Sequence, residues 1–304
     1  MLDIALVGRK LAWLGGTAGA AWATTIAQYF ALGLFLRKFT SQADNVEENG
    51  SISSTKGLLL GRLNRNTFFR LPCKKTWDGF RQYVIPVTTT QVGRCSTYIA
   101  MGHTVSSTLD TVSMAAQQII TSIFYTLIPI GDSCSLTAQS FLPPIIMQDA
   151  TKTRTTSVTK TVKNIYKVAG GLGIFLSIIA ASIPLACPLL TSDPAVIASV
   201  KKVVPLMLAI LSTHGIFCAS EGILLGFKDL KFLGRIYAVF FAVVPVLMLR
   251  LKYVARAAGK TVTLLSVWNI FLGYQAFRII AFSSRVLILR RRHAKGVAAR
   301  IDSP

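Results

Sequence analysis

Glu221 lies in an apolar stretch over residues 210–233, with no formal charge between it and Lys202. In a membrane span, an ionised side chain near the centre costs about 2.5–3.5 kcal/mol on insertion scales, and such residues mark ion or substrate pathways. Of the twelve acids only Glu221 and Asp132 fall in the middle of apolar spans, and Arg94 is the base that stands with them. Two chemistries are open to these groups. An Arg94–carboxylate ion pair would fix the register of two helices. Alternatively, a carboxylate would take up and release H⁺ or Na⁺ as a cavity changes sides; burial favours its neutral form and an adjacent guanidinium its charged form. Uncharged polar residues gather on the same stretches: Thr88, Thr89, Thr90 and Gln91; Gln117 and Gln118; Thr137, Gln139 and Ser140. On a bundle interior they would line a path for an organic solute or hydrogen-bond between helices. The candidates for ion coupling or a solute path are therefore Glu221, Asp132, Arg94, Gln139, Gln91 and Gln118.

Composition names the solvent that makes these charges informative. Hydrophobic residues are 52% of the 304 and charged residues 15%, against about 25% charged in soluble domains. Mean hydropathy is +0.54. Seven stretches have the length of about 20 residues that a helix needs to cross hydrocarbon: 15–36, 83–105, 112–146, 168–190, 203–227, 232–249 and 261–282. Arg94 interrupts the second, and Pro129 with Asp132 interrupts the third. No alternating strand pattern competes over such lengths, so the chain reads as an all-α polytopic membrane helix bundle.

The net charge of +21 would suit nucleic acid only on a soluble basic face. Here the bases sit between spans, as the positive-inside rule requires. With the carboxy terminus inside, inside segments hold nine, five, three and six Lys and Arg and outside segments two, none, two and four. Arg94 and Arg278 remain within spans, and Arg278 is expected to snorkel to the end of its helix.

Five cysteines show no pair at metal-ligand spacing, and His103, His214 and His293 are scattered, so no metal site or cofactor is expected. His214 and the four cysteines in or beside apolar stretches read as packing residues. Gly15, Gly19 and Ala23 form a small-residue stripe for helix contact, and Gly170, Gly171 and Gly173 read the same way. Eight prolines in or beside spans imply bends in a bundle that rocks between states. The linker after the first span turns basic and aromatic, and Phe68, Phe69 and Trp77 with Arg65, Arg70, Lys74 and Lys75 read as an interfacial segment. The sequon at Asn49 falls on the inside. No nucleophile–base pair emerges, so an enzyme is not expected.

Five segments resemble one family. Gly19-Ala20-Ala21-Trp22-Ala23-Thr24-Thr25 with Gln28 resembles the GAAxAT…SQ segment of multidrug and toxic compound extrusion (MATE) transporters. Ser113-Met114-Ala115-Ala116-Gln117-Gln118 resembles AAHQ, with Gln117 in place of His. Leu136-Thr137-Ala138-Gln139-Ser140-Phe141-Leu142-Pro143 is similar to the TAQSFMP of the chloroplast, DNA-damage-inducible F-like branch. Glu221-Gly222-Ile223-Leu224-Leu225-Gly226-Phe227-Lys228-Asp229-Leu230 resembles EGxLLAGRDL, and Trp268, Gln275 and Arg278 resemble the W…Q…R of the last helix. They occur in family order. Asp132 departs from the Gly-Glu-Pro-Leu usual before the TAQ segment, keeping an acid but shortening it.

The resemblance implies the sixth to twelfth helices of a two-lobed, twelve-helix antiporter. Residues 1–38 would be the last helix of the amino-terminal lobe, 39–80 the interlobe linker, 81–290 the carboxy-terminal six-helix lobe and 291–304 a basic tail. An odd number of spans fits poorly with paired repeats, so the amino terminus reads as truncated. The function implied is export of a drug, organic acid or phenolic in exchange for H⁺ or Na⁺, by alternating access, in the plastid envelope. The implied partners are the bilayer, a small organic solute, and a missing amino-terminal lobe or a second copy. The other reading is a non-transporting half-transporter that acts as a membrane interaction partner or has no activity.

Overall fold

The computed structural model of the chain describes residues 16–48, 74–148, 151–259 and 261–301. The sequon at Asn49, Cys73, Gly15 and the interfacial segment over residues 65–70 lie outside them. The described residues form helices and no strand: α1 (Gly16–Glu48), α2 (Lys74–Thr108), α3 (Thr111–Ile146), α4 (Lys152–Leu190), α5 (Pro194–Gly226), α6 (Leu230–Ala257) and α7 (Leu264–Ile301). Contacts divide the chain into two units, residues 1–77 and 78–304.

In the first unit α1 runs past the expected end near Leu36 to Glu48, because neither Gly nor Pro interrupts residues 37–48. Ala23 of the small-residue stripe is buried there.

In the second unit the helix starts follow local chemistry. Asp110, Thr151 and Asp193 stand at three N-caps, where their side chains accept from the backbone N–H of Ser113, Arg154 and Ala195. Pro194 opens α5, where its missing N–H costs nothing. The helices continue through their internal prolines, and α3 passes Pro129, Asp132, Pro143 and Pro144 unbroken.

Among the described residues five helices, α3 to α7, are long and apolar enough to cross a membrane. The chain is a polytopic helical membrane protein. Exposed apolar side chains such as Ile178, Leu185, Leu189, Val246 and Ile280 suit contact with acyl chains. α4 has 39 residues and α7 has 38, so each is over 55 Å long at about 1.5 Å per residue, well beyond a hydrocarbon core of about 30 Å. Lys160, Lys163 and Lys167, and Arg290 to Arg292, therefore ride on helical extensions. The expected 152–167 connector and much of the expected 291–304 tail are helix.

The connections alternate between two ends of this unit. At one end Asp110, Lys202 and Thr263 line a cavity of about 550 Å³. At the other, Arg285 Nε donates to Asp229 at 2.6 Å, and Phe227 packs against His293. α5 packs most extensively on α3 and α4, and then on α7. Gly173, one of three glycines expected at a helix contact, does meet α5: a Cβ on it would lie 2.1 Å from the Ser212 carbonyl oxygen. Gly170 and Gly171 face open space, so the expectation fails for them.

Candidate ion-coupling site

α5 carries His214, Cys218 and Glu221 at i, i+4 and i+7, which puts the three on one face. All three are buried, Glu221 with only 3% exposure. Next to them Gly222 permits α3 to approach backbone to backbone: a Cβ there would stand 2.5 Å from the Ser135 Cα and carbonyl oxygen. The helix ends one turn on, with Asp229 N–H returning to the Leu224 carbonyl and Lys228 in a left-handed conformation at φ 58°.

Glu221 is held from two other helices. On α2, the Arg94 Nη2 donates to both carboxylate oxygens, at 2.8 and 2.7 Å. On α6, the Tyr237 hydroxyl donates to Oε1 at 2.7 Å. α2 can come this close to α6 because residue 93 is glycine; a Cβ there would lie 2.4 Å from the Tyr237 carbonyl oxygen. The two charges are unequally covered. Arg94 is 26% exposed, whereas the carboxylate is almost fully withdrawn. Stripping a partner from a buried pair costs about 3–5 kcal/mol, because the remaining charge stays desolvated.

A second charged group stands on α7. Arg278 is 2% exposed, donates through Nη2 to Gln275 Oε1, and lies over the faces of Phe217 and Tyr274 at 3.8 and 4.1 Å. The expected snorkelling does not occur. α7 continues to Ile301, which leaves Arg278 far from a helix end, and two aromatic faces stabilise its charge instead. Arg278 Nε, Gln275 Nε2, Tyr274 OH and Arg94 Nε are buried without a hydrogen-bond partner.

Asp132 lies apart from Arg94, and among the described residues no cation pairs with it. Its Oδ1 accepts from the Cys218 thiol at 3.4 Å, and the thiol is also 3.4 Å from His214 Nε2. The expectation that the histidines form no ligand cluster is thus corrected: Asp132, His214 and Cys218 present donor atoms within 4.8 Å of one another. Sequence spacing could show only the His214–Cys218 half of that group, since the acid comes from another helix.

A search of curated proteins finds "Protein DETOXIFICATION 47, chloroplastic" of Arabidopsis thaliana, 25% identical over 277 residues. The match covers 90% of this chain and 45% of that protein, at its carboxy-terminal half. The match is consistent with the resemblance to MATE transporters that the five segments carry. The chain spans about half the length of the curated relative it matches. No family model and no solved structure matches.

The structure brings only part of the expected residue set together. Arg94 and Glu221 meet, while Asp132 joins His214 and Cys218. Gln139 Nε2 donates to Ser135 Oγ at 3.1 Å on its own helix, and Gln91 and Gln118 are exposed. Gln117 is the buried one and accepts from the Trp268 indole at 2.8 Å. Tyr237 was missed by sequence reasoning. An aromatic in an apolar helix carries no signal that separates a lipid-facing ring from a hydrogen-bonding one. Tyr166, which bonds Ser220 at 2.8 Å, was missed for the same reason.

Proposed function

We propose that the chain supplies the carboxy-terminal lobe of a secondary antiporter that exports an organic acid or phenolic in exchange for H⁺ by alternating access. The reading places it in the plastid envelope, by likeness to a relative whose name reads chloroplastic. The observation that carries it is the closed Arg94–Glu221–Tyr237 group, a buried carboxylate tying α5 to α2 and α6. Proton arrival at Glu221 would remove the charge that holds Arg94, and α2 would then be free to part from α5. Proton release would close the pair again.

The donor chemistry supports H⁺ over Na⁺. A hard metal cation needs several oxygen ligands, whereas Glu221 faces a guanidinium and a hydroxyl that both donate. The solute class rests on the buried atoms left without partners, at Arg278, Gln275, Tyr274 and Arg94, which are all able to donate. Carboxylate and phenolate oxygens accept such bonds; the charged centre of an organic cation does not.

The test is flux. The purified chain in liposomes under an imposed pH gradient is expected to move a labelled aromatic carboxylate, and to move an organic cation poorly. Absence of flux with and without a gradient overturns transport by this chain and supports the non-transporting interaction partner. Flux driven by Na⁺ but not by H⁺ overturns the choice of ion.

A further inference from the structure

We infer that Asp132, His214 and Cys218 form a binding site for one borderline-soft divalent cation of the Zn²⁺ type, built between α3 and α5. The three residue types are those that hold zinc: thiolate, imidazole and carboxylate. Their spacing already fits. Zinc bonds of about 2.3 Å to sulfur and 2.0–2.2 Å to nitrogen or oxygen put tetrahedral ligand atoms about 3.5 Å apart. Cys218 Sγ stands 3.4 Å from Asp132 Oδ1 and 3.4 Å from His214 Nε2. The third ligand pair lies within 4.8 Å.

The surroundings hold that geometry in place. His214 and Cys218 are one helical turn apart on α5, so their separation is set by the helix. The imidazole packs against the rings of Phe124 and Phe217, at 6.3 and 5.9 Å between centroids. It can lie against α3 only because residue 131, the neighbour of Asp132, is glycine; a Cβ there would fall 2.3 Å from His214 Cδ2.

Charge balance argues in the same direction. On binding, the Cys218 thiol gives its proton to solvent and the sulfur coordinates as thiolate. With the Asp132 carboxylate this offsets the two positive charges of the ion, which is the condition for burying a divalent cation in a low-dielectric lobe. Asp132 is half-buried, and it marks the side from which an ion reaches the two buried ligands. Arg278 opposes a cation here, and its charge is turned onto the faces of Phe217 and Tyr274. The three ligands leave a fourth position for water or a solute atom.

The experiment is metal binding by the purified full chain in detergent, using zinc chloride against a chromophoric chelator and cobalt chloride as the spectroscopic probe. A variant in which Cys73, Cys95, Cys134 and Cys187 are serine isolates the remaining thiol. This variant is expected to bind one equivalent of Zn²⁺ and to show a thiolate-to-cobalt charge-transfer band. Cys218→Ser should abolish the band, and Asp132→Asn should weaken Zn²⁺ binding by more than about tenfold, the least that loss of even a ligand's supporting partner costs. If Cys218→Ser does not fold, the isosteric Asp132→Asn carries the test alone. A cobalt spectrum without a thiolate band, or Zn²⁺ affinity unchanged in Asp132→Asn, overturns the site and leaves a thiol–carboxylate hydrogen bond. Neither readout involves flux, so the outcome is independent of the role given to Glu221.

Discussion

Arg94 and Glu221, 127 positions apart in the chain, meet through a single guanidinium nitrogen that reaches both carboxylate oxygens. The pair is asymmetric in its access to solvent, and that asymmetry orders the cost of breaking it. Loss of Arg94 strands a carboxylate with nowhere to go. Loss of the Glu221 charge leaves a guanidinium that is a quarter exposed and can turn outward.

Arg94→Met is therefore expected to lower stability by about 3–5 kcal/mol, more than Glu221→Gln does. The double variant should recover part of the Arg94→Met loss, since the stranded charge is gone. Thermal denaturation of the chain in detergent measures the three. Equal losses for the two single variants would contradict the ordering.

Glu221→Gln should insert and fold while abolishing proton-driven export when placed in a transport-competent protein. Counterflow, driven by solute alone, should persist. Export that still follows the pH gradient in this variant would return Glu221 to a structural role.

At Gly222 a methyl group would meet backbone atoms of Ser135, and no rotamer change can relieve that. Gly222→Ala is expected to abolish a folded, monodisperse product. Gly170→Ala has open space around it and should stabilise α4 by about 0.5–1 kcal/mol. Size-exclusion profiles and melting temperatures distinguish the two, and tolerance of Gly222→Ala would contradict the close approach of α3.

Lys228 ends α5 in a conformation that costs an L side chain about 1–2 kcal/mol. Lys228→Gly should raise stability by about 1 kcal/mol, visible as a higher melting temperature. A lower melting temperature would mean that the lysine side chain contributes more than its backbone strain costs.

The Asp110 carboxyl is held below its ordinary range by hydrogen bonding to Ser113. A folded-state value below the unfolded one contributes stability above the unfolded range of about 3.9, and that contribution disappears as pH falls through the folded value. The stability difference between the native chain and Asp110→Ala should therefore be constant near neutrality and shrink only in acid. A difference that changes between pH 6 and 8 would implicate another group.

Most of the bundle was legible because five of the expected spans are long, largely apolar runs. Helix rotation was not legible. Gln117 and Gln118 are adjacent, yet one is buried against Trp268 and the other exposed. The Arg94–Glu221 pair could be named as an option because buried charges are few. The meeting of Asp132 with Cys218 could not, because it depends on how α3 and α5 slide past each other, which the Gly222–Ser135 contact sets. Arg278 was misread for want of its true helix length: a charge that seems near an end in sequence is deep when the helix runs on to Ile301.

The glycine contacts have a mechanical consequence. α3 and α4 bear on α5 through backbone atoms, at Ser135 against Gly222 and at Ala169 against Gly215, and α2 and α6 bear on each other at Gly93. Main-chain seams of that kind resist sliding, whereas the junction between the two groups runs through side chains at Glu221. The Arg94–Glu221 pair thus bridges two main-chain seams across a junction made of side chains.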